Sequence, residues 1–221
     1  MTQRPVNSKA IRIVLATRNP GKSREIIATL GPLPVEVVSL AEIDPGHSIA
    51  EPEETGLTFA DNARDKAHYY ARATGCWALA DDSGLEVDAL GGEPGVYSAR
   101  YASEDCPPEP KRDVIDPANN AKLLRCLANV PEELRTGRFV CTLAVSDGQR
   151  IVLESRGVIE GHIGHELQGQ NGFGYDPLFV LRDRGCTMAE LPADDKNAIS
   201  HRGQAVRKMA ELLREYFAAI G

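Results

Sequence analysis

The run "RFVCTLAVS", followed by Asp147-Gly148 and then "QRIVLESRGVIEG", restricts the fold more than any other stretch. Phe139, Cys141, Leu143 and Val145 recur with period two, the pattern of a strand with one core face. Asp-Gly is the residue pair of a tight hairpin turn, so two antiparallel strands are expected here. The chain begins differently. An apolar run, Ile11 to Ala16, leads into "SREIIATLG", a helix closed by Gly31, and then into a second strand, "VEVVS". Strand–helix–strand at the start and a hairpin later predict an α/β protein: a long mixed β-sheet flanked by helices.

The remaining elements fit that plan. In "LTFADNARDKAHYYARAT", Phe59, Ala63, Ala67, Tyr70 and Ala71 share a helical face, and Thr58 with Asp61 suggests a capping box. "WALADD" reads as a short buried strand ending in acid, with Ser83-Gly84 allowing a sharp turn. Leu40 to Glu53 and "LGGEPGVYSARY" read as loops, and "CPPEPKRDVIDP" as an exposed excursion. "ANNAKLLRCLANV" reads as a helix, "LFVL" as a short strand, and "RGQAVRKMAELLREYFAAI" as a long final helix. Residues 1–10 form a polar extension, and 11–221 read as a single domain without repeat or linker.

A net charge of −7 offers no global positive field, which argues against a nucleic-acid partner while allowing a local basic pocket. No apolar run is long enough to span a bilayer, and "MTQRPVNSKA" lacks a hydrophobic signal core, so no membrane partner and a cytoplasmic location are expected. The five cysteines are far apart with no C-x-x-C, and isolated reduced thiols, mostly buried, are the expectation.

Chemistry-bearing residues fall into clusters. In "LATRNPGKSRE", Ala16-x-x-x-x-Gly21-Lys22-Ser23 loosely matches a Walker A loop. Such a loop works through successive backbone N–H groups, and Pro20 has none. Thr17, Arg18, Asn19 and Lys22 could instead bind phosphate with side chains. In "ADDSGL", Asp81 and Asp82 end a buried strand, where α/β proteins place ligands, and alternation sends them to opposite faces with different jobs. Glu51, Glu53 and Glu54 crowd before a helix; one of them with Asp82 would make a hard-oxygen Mg²⁺ site, although acids near a helix start also serve the helix dipole. "GFGYDP" (172–177) is an aromatic glycine loop able to stack a base and offer backbone groups to its edge. Lys196, His201 and Arg202 bring donors to the start of the last helix, with Ser200 a fitting N-cap. On these residues alone, a P-loop kinase or NTPase and a non-catalytic nucleotide sensor remain open.

The ordered set T-x-N-x-G-K, E-E-T-G-x-T-F-x-x-N-A, A-D-D-S-G-L, L-G-G-x-P-G-x-x-S-A-R, G-F-G-Y-D-P and I-S-H-R-G-Q-A spans Thr17 to Ala205. This set resembles the inosine/xanthosine triphosphate pyrophosphatase family. The resemblance implies two lobes around a central cleft, a homodimer, and Mg²⁺-dependent cleavage of non-standard purine nucleoside triphosphates (ITP, dITP, XTP) to the monophosphate and pyrophosphate. It implies a phosphate-binding loop over Thr17, Arg18, Asn19, Pro20, Gly21 and Lys22. Asp82 would be general base and metal ligand, Ser83 a substrate contact, and Glu54 the second metal carboxylate, with Glu53 its rival. Phe173, Gly174, Tyr175 and Asp176 would bind the base, and Lys196, His201 and Arg202 would close over the substrate. The chain departs from the family pattern at Gln170-Asn171 and in the longer, Pro-rich segment 103–120, expected to touch a dimer partner or to be mobile and to reach no catalytic group.

Overall fold

The structure is a computed structural model and describes residues 11–108 and 110–220; the polar extension 1–10 lies outside them. In chain order the elements are β1 (Arg12–Leu15), α1 (Pro20–Leu30), β2 (Glu36–Ser39), α2 (Leu40–Ile43), α3 (Phe59–Thr74), β3 (Trp77–Val87), α4 (Arg112–Cys126), β4 (Thr136–Ser146), β5 (Ile151–Ile163), β6 (Phe179–Leu181), α5 (Ala193–Ile199) and α6 (His201–Ile220). The sheet order is β2-β1-β3-β4-β5-β6. β1 pairs in parallel with β2 and β3, and the remaining pairs are antiparallel, the mixed sheet expected.

Strand alternation sorts the core. Ile13, Leu15, Leu79, Leu143 and Val145 face α1 and α6 through Ile26, Met209, Leu213 and Phe217. Val14, Ala78, Ala80 and Ala144 face Ala63, Ala67, Tyr70 and Ala71 of α3. β3 and β4 then run on past the short β1 to a separate cluster, where Leu85, Val87, Phe139 and Phe179 pack with Leu123 and Leu127 around α4. The long strands therefore join two lobes, and the cleft opens where β1 stops pairing with β3.

Several boundaries differ from expectation. Ser83-Gly84 is no turn: β3 continues through it, paired with Val140 and Cys141. A Cβ at Gly84 would lie 2.8 Å from the Gly95 carbonyl and collide with Ser98 Oγ, so glycine here admits a close neighbour rather than a bend. Part of the loop expected at 40–53 is helical, because Ser39 and Glu42 form a capping box that starts α2. "LGGEPGVYSARY" begins at the end of a 3₁₀ turn, Asp88–Leu90, and contains a 3₁₀ helix over Gly95–Arg100. The Pro-rich excursion becomes helical at Arg112, with Pro117 inside α4. The hairpin turn spans four residues, 147–150, with Asp147 Oδ1 accepting from the amides of Gln149 and Arg150. All five thiols are free, but only Cys141 is buried, where burial pushes its pKa up to about 12.

Candidate active site

Asp81 and Asp82 sit mid-strand and follow the two faces just described. Asp81 points to the α1/α6 side, with Lys22 Nζ at 2.8 Å and Arg202 Nε at 4.0 Å, and it accepts from Ser83 Oγ at 3.3 Å. Burial alone would raise its pKa, but Lys22 and Arg202 hold it well below the usual carboxylate range. Asp82 points to α3. Its Oδ2 accepts from Asn62 Nδ2 at 3.0 Å, and its Oδ1 accepts from the Ser83 amide at 3.1 Å and faces Lys66 Nζ at 3.4 Å. Lys66 also bonds Glu54 Oε1 at 2.7 Å, and Arg100 bonds Glu54 Oε2 at 3.0 Å. Glu54 and Asp82 therefore share one cation. Burial raises the Asp82 pKa against the pull of Lys66, with Glu54 adding to the rise. Burial opposes ionisation of Glu54 as well, but Lys66 and Arg100 hold its pKa below the ordinary value. Glu53 is exposed, so of the two rival acids Glu54 is the one turned toward Asp82.

The loop after β1 does not form a Walker cradle. Asn19 is the N-cap of α1, and its Oδ1 accepts from the amides of Gly21 (2.9 Å) and Lys22 (3.2 Å). Pro20 takes the first helical position, where a missing N–H costs nothing. Thr17 Oγ1 accepts from the Asn19 amide at 3.2 Å. Arg18 is tied to Asp44 at 2.9 Å and to the Ile49 carbonyl at 2.6 Å, so it braces the loop. Gly21 lies under the Phe173 ring: a Cβ there would stand 3.4 Å from Cε1.

At the other end, Lys196 Nζ and Arg202 Cζ lie 4.9 and 5.4 Å from the Phe173 ring centroid. Lys196 is 2.9 Å from both Glu25 and Asp176; Arg202 bonds Glu25 and donates to Ser83 Oγ at 3.0 Å. Ser200 Oγ accepts from the Gly203 amide at 3.0 Å, the cap expected for α6. His201 stacks on Phe139 (4.8 Å, 14°) and stays neutral, since burial and the cations Arg202 and Lys196 lower its pKa well below the ordinary value. Tyr175 is part of the second core, its hydroxyl donating to the Ser98 carbonyl at 2.9 Å.

The loop's backbone is less available than the sequence suggests. The Phe173 amide donates to Asp176 Oδ2 (2.8 Å), the Gly174 amide to Asp116 Oδ2 (3.1 Å), and the Gly174 carbonyl accepts from Asn120 Nδ2 (2.9 Å). By contrast, His201 Nδ1 and Arg202 Nε are buried without a hydrogen-bond partner among the described residues. A buried polar atom left unpaired costs about 1–3 kcal/mol, which a ligand atom can recover.

Thr17, Arg18, Asn19, Lys22, Glu54, Asp82, Ser83, Phe173–Asp176, Lys196, His201 and Arg202 line one cleft of about 400 Å³. That volume falls in the range of small-molecule sites. Lys66, Arg100, Arg112 and Asp116 line it too and were not singled out from the sequence; nor were Asn62 and Glu25, which position the groups above. Asn62 and Lys66 carried a signal: they are four residues apart, so one helix face brings both to Asp82. The Pro-rich departure does reach the site, through Arg112 and Asp116.

Comparison with known proteins settles the lineage. The Ham1 family pattern matches residues 13–212. This chain belongs to the Ham1 family. A dITP/XTP pyrophosphatase of Desulforamulus reducens is 50% identical over 207 residues, covering 94% of this chain and 98% of that protein. One from Nitratidesulfovibrio vulgaris is 52% identical, covering 90% and 94%. The solved HAM1 protein of Coxiella burnetii superposes with a TM-score of 0.80 at 39% identity, covering 93% of this chain and 99% of its own. The Ham1 fold thus accounts for the mixed sheet with its flanking helices.

Proposed function

We propose that this Ham1 protein hydrolyses non-standard purine nucleoside triphosphates (ITP, dITP and XTP) to the monophosphate and pyrophosphate, clearing them from the nucleotide pool. The observation that carries the reading is the pair formed by half-buried Glu54 and buried Asp82 around one cation, at the side of a cleft that also holds Lys22, Lys196 and Arg202. It joins hydrolytic acids to a basic, nucleotide-sized pocket, and the relatives' names point to the same activity.

The residues fit a divalent metal. Two carboxylates converge on a single positive charge, and Mg²⁺ sites use one or two carboxylates completed by waters and substrate phosphates. Among the described residues no cluster of three or more His, Cys, Asp or Glu side chains forms a fuller ligand set. Glu54 and Asp82 would hold Mg²⁺, which when bound neutralises phosphate charge next to these acids. Asn62 holds Asp82 Oδ2 and the Ser83 amide holds Oδ1, which orients the carboxylate to take the proton of the attacking water; a carboxylate with a raised pKa is the better base. Lys22, Lys196 and Arg202 attract the triphosphate, and Phe173 offers a ring to the base. Donors from the His201-Arg202 pair, rather than from the tied Phe173 and Gly174 amides, would meet a 6-oxo purine and oppose the amino group of adenine. A homodimer in the cytoplasm completes the proposal, resting on the motif resemblance and checked by sedimentation and fractionation.

The P-loop alternative is weakened because the Gly21 and Lys22 amides are spent on Asn19. The sensor alternative is weakened because acids and bases are all in place. Product analysis with ITP decides among the three. Pyrophosphate supports hydrolysis as proposed, orthophosphate or phosphoryl transfer supports the P-loop reading, and no turnover supports the sensor.

A further inference from the structure

The Pro-rich segment and the helix it enters have no role in the chemistry above, yet α4 grips the base-side loop. Asp116 and Asn120 are four residues apart on α4 and so share a face. Asp116 Oδ2 accepts from the Gly174 amide at 3.1 Å, and Asn120 Nδ2 donates to the Gly174 carbonyl at 2.9 Å. Both polar groups of one residue are thus held by one helix, across 58 and 54 positions of sequence. Gly174 has φ +62°, a left-handed conformation that glycine adopts without strain. Both bonds that hold this residue come from outside the loop.

Each clamp residue is itself anchored. Asp116 Oδ1 lies 3.2 Å from Arg112, and Asn120 Nδ2 also donates to the Asp116 carbonyl at 3.0 Å. Next to the clamp, Phe173 is flanked by Lys196 and Arg202, and its own amide is tied to Asp176. A shift at Gly174 would move the Phe173 ring, while Lys22, Lys66 and Asp82 stand on α1, α3 and β3, with Glu54 tied to Lys66 and Arg100, and would stay.

We propose that Asp116 and Asn120 are positioning residues that clamp Gly174 and so set how the cleft selects the purine base, without touching the reacting phosphates. This rests on the proposed pyrophosphatase activity. The two ends of the cleft are then separable: α4 governs the base end, and Glu54, Asp82 and the α1 and α3 lysines govern the phosphate end.

Three variants test the clamp. Asp116→Ala removes the acceptor for the Gly174 amide. Asn120→Asp is nearly isosteric but turns an acceptor toward the Gly174 carbonyl. Asp116→Asn keeps an oxygen that can accept and serves as the conservative rescue. Losing one such bond should raise KM for dITP about tenfold, with kcat within about threefold, in the first two variants. Their dITP/dGTP ratio of kcat/KM should narrow about tenfold, and Asp116→Asn should stay within about threefold of wild type. Inhibition by inorganic pyrophosphate should be unchanged, while dIMP binding by calorimetry weakens about tenfold. A merely structural role would weaken both ligands together. Equal weakening of pyrophosphate and dIMP, or wild-type dIMP affinity in both Asp116→Ala and Asn120→Asp, overturns the clamp. Failure of the wild type to release pyrophosphate from dITP counts instead against the proposed function, and dIMP binding still judges the clamp.

Discussion

Neutralising two adjacent strand carboxylates should move stability in different ways. Asp81 belongs to a largely buried cluster of three anions (Asp81, Glu25, Asp176) and three cations (Lys22, Lys196, Arg202), with Lys22 and Glu25 at its partly exposed edge. Asp81→Asn keeps the shape but leaves Lys22, a largely buried cation, without its carboxylate. Breaking a buried pair from one side costs about 3–5 kcal/mol, and the retained amide oxygen, still able to accept from Lys22, places the loss near 3. For a chain of this size that lowers Tm by about 6–12 °C. The sign with pH follows from the depressed pKa: the stabilisation is fully present above the unfolded-state pKa and is lost as pH falls through the folded-state value. The gap between wild type and Asp81→Asn should therefore be flat from about pH 5 to 8 and narrow below about pH 4. Asp82 has the opposite shift. Its pKa is raised, so the fold disfavours its charge at neutral pH, and Asp82→Asn should leave Tm unchanged or higher in chelator. Its kcat should nevertheless fall by roughly 10²–10⁴ while nucleotide binding changes far less. Calorimetric melts and pyrophosphate release on both variants provide the check. An Asp81→Asn melt within about 2 °C of wild type, equivalent to less than about 1 kcal/mol, would refute the charge-cluster argument.

Further outcomes are expected. Exhaustive chelation should abolish turnover and Mg²⁺ restore it; full activity after metal removal would sink the Glu54/Asp82 assignment. His201, buried and held neutral, should show no titration of its ring protons by NMR between about pH 5 and 8, and a midpoint in that interval would contradict its placement. Lys66→Met should weaken the link between Glu54 and Asp82 and lower activity, yet shift the Asp82→Asn melt little, since that variant has already lost one of the two carboxylates; a double-mutant cycle measures this coupling.

Period and turn chemistry made the hairpin, the two-sided core and the last helix legible, because strands and helices that pack on one face must repeat at fixed spacing. Alternation also separates Asp81 from Asp82 in the sequence itself. What stayed hidden depended on distant partners. Glu25 looks like an ordinary helix residue until Lys196 and Arg202, far along the chain, fold against it. The sequence likewise does not show that Asp44 ties Arg18 or that Asn19 caps α1, the bonds that hold these two phosphate-binding candidates at the cleft. Gly84 signalled a turn, but its meaning is the approach of Ser98 and Gly95. The helix inside the Pro-rich segment was obscured by Pro117, which α4 accommodates early in its length.

The most direct test of the central claim is a competition. Purified protein with Mg²⁺ is given dITP and dGTP together, and the products are followed by phosphorus NMR. The expected result is that dITP is converted to dIMP and pyrophosphate in equal amounts while dGTP persists. Loss of both nucleotides at the same rate, or orthophosphate with dIDP in place of pyrophosphate, would contradict it.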